Sequence, residues 1–569
     1  MKQIILIISC LLFVNIASSQ NEKADGEFLS IVKEYTLNDD GSIDFHYSKS
    51  VKLLSHFSFH RLYGETFIVY NTDFQSLKIN SASTTMADGK KVVTPANAFN
   101  EVLPRYCADA PSFNNIREMV VTHTGLEVGA VINLDYTIHT VAGYYSSLMG
   151  NDVLSETSPV NELTIKVVIP DSKELNYELL NINGTPQTEL KNGNKTYTWK
   201  FNSIPANSKD SYQENFHQDE PRIIFSTTNM ESSLQSFVDQ GAFNFISNAS
   251  IDEVVSNIMK KESYAFKIAL EIQRTVSNDI VNIDIPLVYT GFKCRLPIDV
   301  WNSNQGTPLE KAILITTMMR KANIQADPVA LIPNSYFNKN IGDLEAMEKF
   351  MVRAKIKSQG DFYFSPDRVD KQNQKFNIED MKAVVLDKQI SKITAVEGKT
   401  YTSGISFAAE FDMQDTDKLL GTISLELKNQ ANPYIKLFND DSKIASILDG
   451  ISDQDVVKSA FTKLSQENCT VLLTIDKTSP TIISQGHYSM FKLPGTSVGV
   501  DSWHMTVLPA KRNASLEIPD LIDENYSYAI VLPKDSKLVS KLQNISINND
   551  VGSLLIKVEK NQNEVIVIR

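Results

Sequence analysis

Few side chains in this sequence have the type and spacing to do chemistry. Cys294, in Gly291-Phe-Lys-Cys-Arg-Leu-Pro297, is the one thiol between Cys107 and Cys469. Its neighbours Lys293 and Arg295 would favour the thiolate, the form that acts as a nucleophile. A thiol nucleophile also needs a base within hydrogen-bond reach, and no histidine occurs between His217 and His487. A buried, inert cysteine is therefore the simpler reading. His56 and His60, in Ser55-His-Phe-Ser-Phe-His60, have the i, i+4 spacing that suits one metal ion on a helix. In the strand context expected here they lie about 13 Å apart, too far to share an ion. His487 and His504 could meet across a hairpin, but no carboxylates at ligand spacing accompany them. No metal site and no cofactor are expected. Asp39-Asp40 and Asp440-Asp441 sit in turn contexts, a poor setting for acid–base work. Tyr144-Tyr145 and Trp503 could line a sugar-binding face if exposed, and otherwise are packing.

One further segment has the form of a reactive site without the reactive atom. In Thr307-Pro308-Leu309-Glu310 the Thr hydroxyl can accept from the backbone N–H of Glu310 while the Glu carboxylate reaches back, and a proline in the first helical position loses only an N–H that had no helical partner. The helix is expected to begin at Pro308. Leu309, Ala312, Ile313, Thr316 and Met319 give it a mostly apolar face, which predicts a buried helix.

The elements that must position these residues follow from periodicity. From Ile31 to about Phe225, runs such as Val131–Tyr136, Leu163–Ile169 and Thr196–Phe201 are of strand length and rich in β-branched and aromatic residues. Asp88-Gly89 and Asn192-Gly193 stand between runs as two-residue hairpin turns do. This predicts an antiparallel β-sandwich over 20–230. The period then changes: Ser250-Ile-Asp-Glu253 reads as a capping box, a second helix follows from about Ser263, and the Pro308 helix precedes strands at Pro328–Ile332 and Phe350–Ile356. That makes 231–385 an α+β domain. The remainder is β-rich, divided into 386–510, with a helix starting near Ser452-Asp-Gln-Asp455, and a final module 511–569 ending in a hairpin around Asn561–Asn563. The fold class expected is multidomain α+β, which suits 569 residues, since single cores stop growing near roughly 250–300.

Charge and termini limit the function classes. A net charge of −13 argues against nucleic acid as a partner. Met1–Gln20 has one Lys, an apolar run from Ile4 and small residues at Ala17 and Ser19, which predicts a signal peptide over 1–19. Lipidation at Cys10 would leave an apolar core of about six residues, shorter than such signals use. No other run is long enough for a transmembrane segment. Export, to the periplasm or cell surface, is expected. Beyond the predicted signal only Cys107, Cys294 and Cys469 remain, which does not suggest a disulfide framework.

Gly306-Thr-Pro-Leu-Glu-Lys-Ala312, its apolar helix and Asn323-Ile-Gln-Ala-Asp-Pro-Val329 together resemble the core of the transglutaminase-like superfamily, a papain-like fold. The whole chain resembles exported Bacteroidota proteins that place this core between N- and C-terminal β domains of unknown function. The resemblance implies a Cys-His-Asp site, but the nucleophile's position falls on Pro308, the histidine's near Met351 and the acid's on Ser365. The expectation is a non-catalytic envelope protein that binds a protein, peptide or glycan or acts as a scaffold. The alternatives are a cysteine-dependent amidase, protease or transglutaminase-like enzyme using Cys294 with relocated partners, and a carbohydrate-binding surface protein.

Overall fold

The computed structural model describes residues 24–569 except 60, 208–211, 213–219, 358–359, 368–380, 389–395, 398–400, 414–417, 479–480, 486–487, 506–515, 535, 538 and 540–543. The chain is mostly β with a helical middle region. The expected signal peptide and Cys10 lie outside the described residues.

The N-terminal part rests on an eight-stranded sheet in the order Gln187–Lys191, Asn194–Ile204, Val160–Pro170, Gly26–Leu37, Ile43–Leu53, Val131–Thr140, Gln75–Thr85, Lys91–Val93. Two three-stranded sheets accompany it: Glu65–Asn71, Ile116–Thr122 and Phe99–Val102 form one, and Asn176–Leu180, Arg222–Ser226 and Met149–Val153 the other. Alternation builds the core. Ile132, Leu134, Tyr136 and Ile138 from one strand, and Leu163, Ile165, Val167 and Ile169 from another, are buried at every second position. The large sheet is not purely antiparallel as expected, because Gly26–Leu37 pairs in parallel with Val160–Pro170. That pairing joins strands distant in sequence and leaves no local turn signal. Asn192 and Gly193 both have positive φ, 53° and 78°, and make the expected tight hairpin. At Asp88-Gly89 the loop is longer than two residues: Met86 N–H donates to the Lys90 carbonyl, and Gly89 alone is left-handed.

The central part packs the helices Met230–Val238, Ala249–Lys261, Ala265–Asp279, Pro297–Ser303 and Pro308–Lys321 with an antiparallel sheet in the order Gly360–Phe364, Lys349–Ile356, Gln325–Pro333, Met381–Val385, Val396–Glu397. The second of these helices starts earlier than its Ser250 box implied. Asn248 is the cap, accepting from the Ile251 N–H at 2.9 Å, and Ser250 instead donates to the same Asn248 oxygen. The Pro308 helix is buried continuously from Leu309 to Met319, not on one face only, so it is the centre of the domain.

The C-terminal part holds a second eight-stranded sheet, in the order Val456–Leu464, Asn468–Thr478, Lys418–Lys428, Thr402–Asp412, Leu521–Val531, Glu564–Ile568, Gly552–Asn561, Ile545–Asn549. Its strands come from both sides of residue 510, so dividing 386–510 from 511–569 cuts one sheet, again through a parallel pairing, Thr402–Asp412 with Leu521–Val531. The helix expected near Ser452 is a single 3-10 turn, Asp453–Asp455, that leads straight into a strand. Its acidic first turn and cap are real, but no apolar helical stripe follows to extend them. Nor does packing stop at 385. The edge strand Val396–Glu397 extends the central sheet, and Tyr434 and Ile435 of the short helix Tyr434–Asn439 sit in the central core with Phe266 and Phe362. The terminal hairpin forms as read, with Asn561 opposite Glu564.

Candidate functional site

The tip of the Pro308 helix is built as its sequence dictates. Thr307 Oγ1 accepts from the Glu310 N–H at 3.3 Å, and Glu310 Oε2 accepts from the Thr307 N–H at 3.0 Å. Glu310 also receives three N–H groups of Arg295: the backbone at 2.9 Å, Nε at 3.0 Å and Nη2 at 2.8 Å. One carboxylate, 2% exposed, thus ties the helix start to the Cys294–Arg295 segment. Gly306 permits the close approach, since a Cβ there would lie 2.8 Å from Val300 Cγ1. Lys311, fully buried beside it, has its pKa lowered by burial, and its Nζ makes no hydrogen bond among the described residues.

Pro308 opens onto a cavity of about 350 Å³ whose walls include Leu309, Phe292, Phe350, Glu345 and Glu348. Of the three positions singled out in sequence, only Pro308 lines it. Met351 is on the far side of its strand, packed with Val329, Leu331 and Tyr363. Phe350, one residue earlier, faces the helix tip, and on a strand a slip of one residue exchanges the two faces. Ser365 lies beyond the end of its strand and accepts from Gln273 Nε2 through its carbonyl at 3.0 Å.

Cys294 is partly buried, and its backbone N–H donates to Gln240 Oε1 at 3.0 Å. Burial pushes its thiol well above the usual value and Glu310 adds to the effect, outweighing Arg295 and Lys293. The flanking cations therefore do not yield a thiolate, because Arg295 is committed to Glu310. Among the described residues no histidine figures in the thiol's surroundings.

A second cavity, of about 360 Å³, lies between the N-terminal sheets and the central domain. Its walls carry the rings of Tyr35, Phe45, Phe67, Tyr136, Tyr145 and Tyr289, and it shares Val288, Phe292 and Glu345 with the cavity at Pro308. The Tyr144-Tyr145 pair is not an exposed platform. Tyr144 is buried and donates to the Tyr289 carbonyl at 2.7 Å, and Tyr145 donates to the Val288 carbonyl at 3.1 Å.

The loop Asp343-Leu-Glu-Ala-Met-Glu348 supplies the acids. Burial raises all three: Asp343 to about 6, Glu345 to about 8, with Asp343 and Asp152 adding to it, and Glu348 to about 7. Asp343 accepts from Asn151 Nδ2 at 2.7 Å and from the Glu345 N–H at 3.0 Å. The sequence reading passed over this loop. The signal available to it was three carboxyls within six residues between two buried strands.

Each of the two histidine pairs has one member outside the described residues. His56 stands in a 3-10 turn, His56–Phe59, not a strand, and His60 lies outside the described residues. His487 lies outside them too, and His504 is an exposed residue in left-handed conformation. Among the described residues no group of three or more His, Cys, Asp or Glu side chains could hold a metal ion, and no helix is long and apolar enough to cross a membrane.

These features define a three-part, β-rich chain around a helix-on-sheet core. Residues 39–208 match the model of a domain of unknown function with a solved structure, DUF3857, and residues 488–569 match a second such domain, DUF3858. The chain is similar to a crystal structure from Parabacteroides distasonis described as a "putative protease", at 27% identity and a TM-score of 0.70, over 96% of this chain and 92% of that one. Yeast LTA4 hydrolase in complex with bestatin matches at 10% identity over 36% of this chain and 28% of its own, and an M1 zinc metallopeptidase from Deinococcus radiodurans at 10% over 35% and 42%. Both have a TM-score of 0.18 and carry no argument. No curated protein matches the chain.

Proposed function

We propose that this chain is a non-catalytic binding component of the cell envelope, exported by residues 1–19, whose transglutaminase-like core serves as a frame for a ligand cavity. The observation that carries the reading is the pairing across that cavity. Pro308 occupies the capped helix tip and Phe350 faces it from the strand, so neither the thiol nor the base of a cysteine mechanism stands there. The thiol nearby, Cys294, is held in its protonated form by burial and Glu310. The Parabacteroides protein's description as a protease concerns that chain. The Cys-His logic it would need has no counterpart at Pro308.

The test is enzymatic. Purified protein should show no amidase, peptidase or amine-transfer activity on casein, on glutamine peptides with an amine donor, or on cell-wall peptides. Activity that disappears in Cys294→Ala would overturn the reading. Envelope fractionation checks the export half: protein retained in the cytoplasm counts against it.

A further inference from the structure

The two adjoining cavities, which share Val288, Phe292 and Glu345, have chemistry that narrows the ligand further, and this step rests on the binding reading above. Their combined walls are mostly aromatic and aliphatic; the charged residues on them, Asp284, Glu345 and Glu348, are all acids, and the neutral polar ones are Thr307, Gln75, Thr140 and Ser147. Glu345 borders both cavities, and its carboxyl takes no hydrogen bond or ion pair among the described residues; only its backbone N–H is engaged. The neighbouring cations are already committed. Lys33 donates to Asp152 at 2.8 Å, and Arg222 pairs with Glu220 at 3.6 Å, bonds Asn151 and lies over the Tyr336 ring at 4.5 Å. Lys349 acts on Glu348 as well, and against these three cations stand the acids Asp152, Asp343, Glu345 and Glu348, so the site has more carboxyls than cations. Tyr35 spends its hydroxyl on Asp152 at 2.6 Å and Tyr145 on a backbone carbonyl, which leaves their faces rather than their polar ends for the cavity.

A partly buried carboxyl with no hydrogen-bonded or ion-paired cation among the described residues, beside a chamber walled by rings, is complementary to an organic ammonium group. The ring faces attract positive charge and accept its alkyl or aryl substituents, while the Glu345 carboxyl, giving up its proton as the cation arrives, supplies the counter-charge. A bare metal ion is not favoured, since among the described residues no group of three or more His, Cys, Asp or Glu side chains could hold one. A carboxylate or phosphate ligand would meet the acids Asp284, Glu345 and Glu348 and no Lys or Arg on the walls.

We propose that these cavities bind an organic cation, an alkyl- or arylammonium, with its charged head against Glu345 and its apolar body among Tyr35, Phe45, Tyr136, Tyr145 and Tyr289. A free amine and the lysine side chain of a peptide share this chemistry.

The experiment is calorimetric titration of the full mature chain with phenethylammonium, its neutral isostere phenethyl alcohol, 3-phenylpropionate, and a lysine pentapeptide beside its norleucine counterpart. Saturable binding of the ammonium or the lysine peptide, at least about ten-fold tighter than the matched neutral compound, supports the proposal, and which of the two binds identifies the source. Glu345→Gln should remove that preference and leave the neutral compound's affinity unchanged. Equal affinity for charged and neutral compounds, preference for the carboxylate, or no binding of any of them overturns it. So does Glu345→Gln binding the ammonium as tightly as wild type. The comparison of charged and neutral compounds on the wild-type protein decides the matter even if the variant does not fold. Because no probe reports on bond cleavage, this proposal can fail while the non-catalytic reading stands.

Discussion

Glu310 is where the helix tip can be tested most directly. It is 2% exposed and accepts four N–H groups, three from Arg295 and one from Thr307. Glu310→Ala removes all four acceptors at once. The Arg295 guanidinium, 18% exposed, keeps Ser303 Oγ at 3.1 Å and the Gln305 carbonyl at 2.9 Å, but loses its counter-charge. Breaking a buried pair by deleting one partner costs about 3–5 kcal/mol, and an orphaned buried N–H costs roughly 1–3 kcal/mol more. The two costs overlap, since both belong to one network, and Arg295 retains some contact with water. A loss of about 4 kcal/mol is the working figure. For a domain of this size each kcal/mol shifts the midpoint by about 2–4 °C, so the transition of the central domain should fall by about 8–16 °C. Scanning calorimetry resolves it if that domain melts separately from the two β parts. Glu310→Gln, which keeps a carbonyl but not the charge, should fall between the two. The decisive variant is the double replacement Glu310→Met with Arg295→Met: removing both charges should cost less than Glu310→Ala alone. A shift under about 2 °C for Glu310→Ala, or a double variant worse than the single one, would refute the account of this carboxylate as the tie between the helix tip and the Cys294 segment.

Three other outcomes follow. Glu345 rises from its ordinary 4.5 to about 8 on folding; the folded state then keeps a proton the unfolded chain has released, so stability should decline as pH rises from about 4.5 to about 8. Relative to Glu345→Gln, wild type should lose up to about 5 kcal/mol across that window, less where Asp343 and Glu348 titrate with it; a difference constant from pH 5 to pH 9 in denaturant titrations would contradict the sign. The Cys294 thiol, raised by burial and Glu310, should react with iodoacetamide at pH 7.5 at least about ten-fold more slowly in the folded protein than in urea, which intact mass spectrometry measures. Pro308→Cys should place an alkylatable thiol on the cavity without hydrolase activity. Adding Phe350→His, the residue facing it, should lower the apparent pKa of alkylation; an unchanged pH–rate profile would mean that Phe350 does not stand opposite the tip.

How much of this was legible depended on range. The capping box at Thr307–Glu310 and the hairpins at Asn192-Gly193 and Asn561–Asn563 are local, so residue types alone fixed them. The parallel pairings of Gly26–Leu37 with Val160–Pro170 and of Thr402–Asp412 with Leu521–Val531 join segments more than a hundred residues apart. No turn residue records such a contact, and for this reason a boundary at 510 was drawn through a sheet. The error at Met351 has a different origin. Lys349–Ile356 alternates, with Phe350, Val352, Ala354 and Ile356 toward the helices and Lys349, Met351, Arg353 and Lys355 on the other face, so the period-2 pattern places Met351 away from the helix tip, whereas the motif's order along the chain assigns it there. The Asp343–Glu348 loop was passed over because acidic residues in a connection usually mean solvent; only its packing against Arg222, Asn151 and the ring-walled cavity reveals otherwise.

That loop also bears on what the fold is for. A chain optimised only for stability would not place Asp343, Glu345 and Glu348 where burial raises each of them, since every such shift destabilises the folded state near neutral pH. Apolar residues of similar size would fill the same space at lower cost. Departures of this kind from local consistency belong to functional sites. The helix tip, by contrast, shows no such departure. Its cap is satisfied, its proline is in the favoured position, and Glu310 is fully bonded. Two walls of the Pro308 cavity therefore differ in character: the side where a nucleophile would stand is structurally at rest, and the side lined by acids is held in tension. The functional chemistry of this protein is to be sought on the second side, at Glu345, where the N-terminal sheets and the central domain meet.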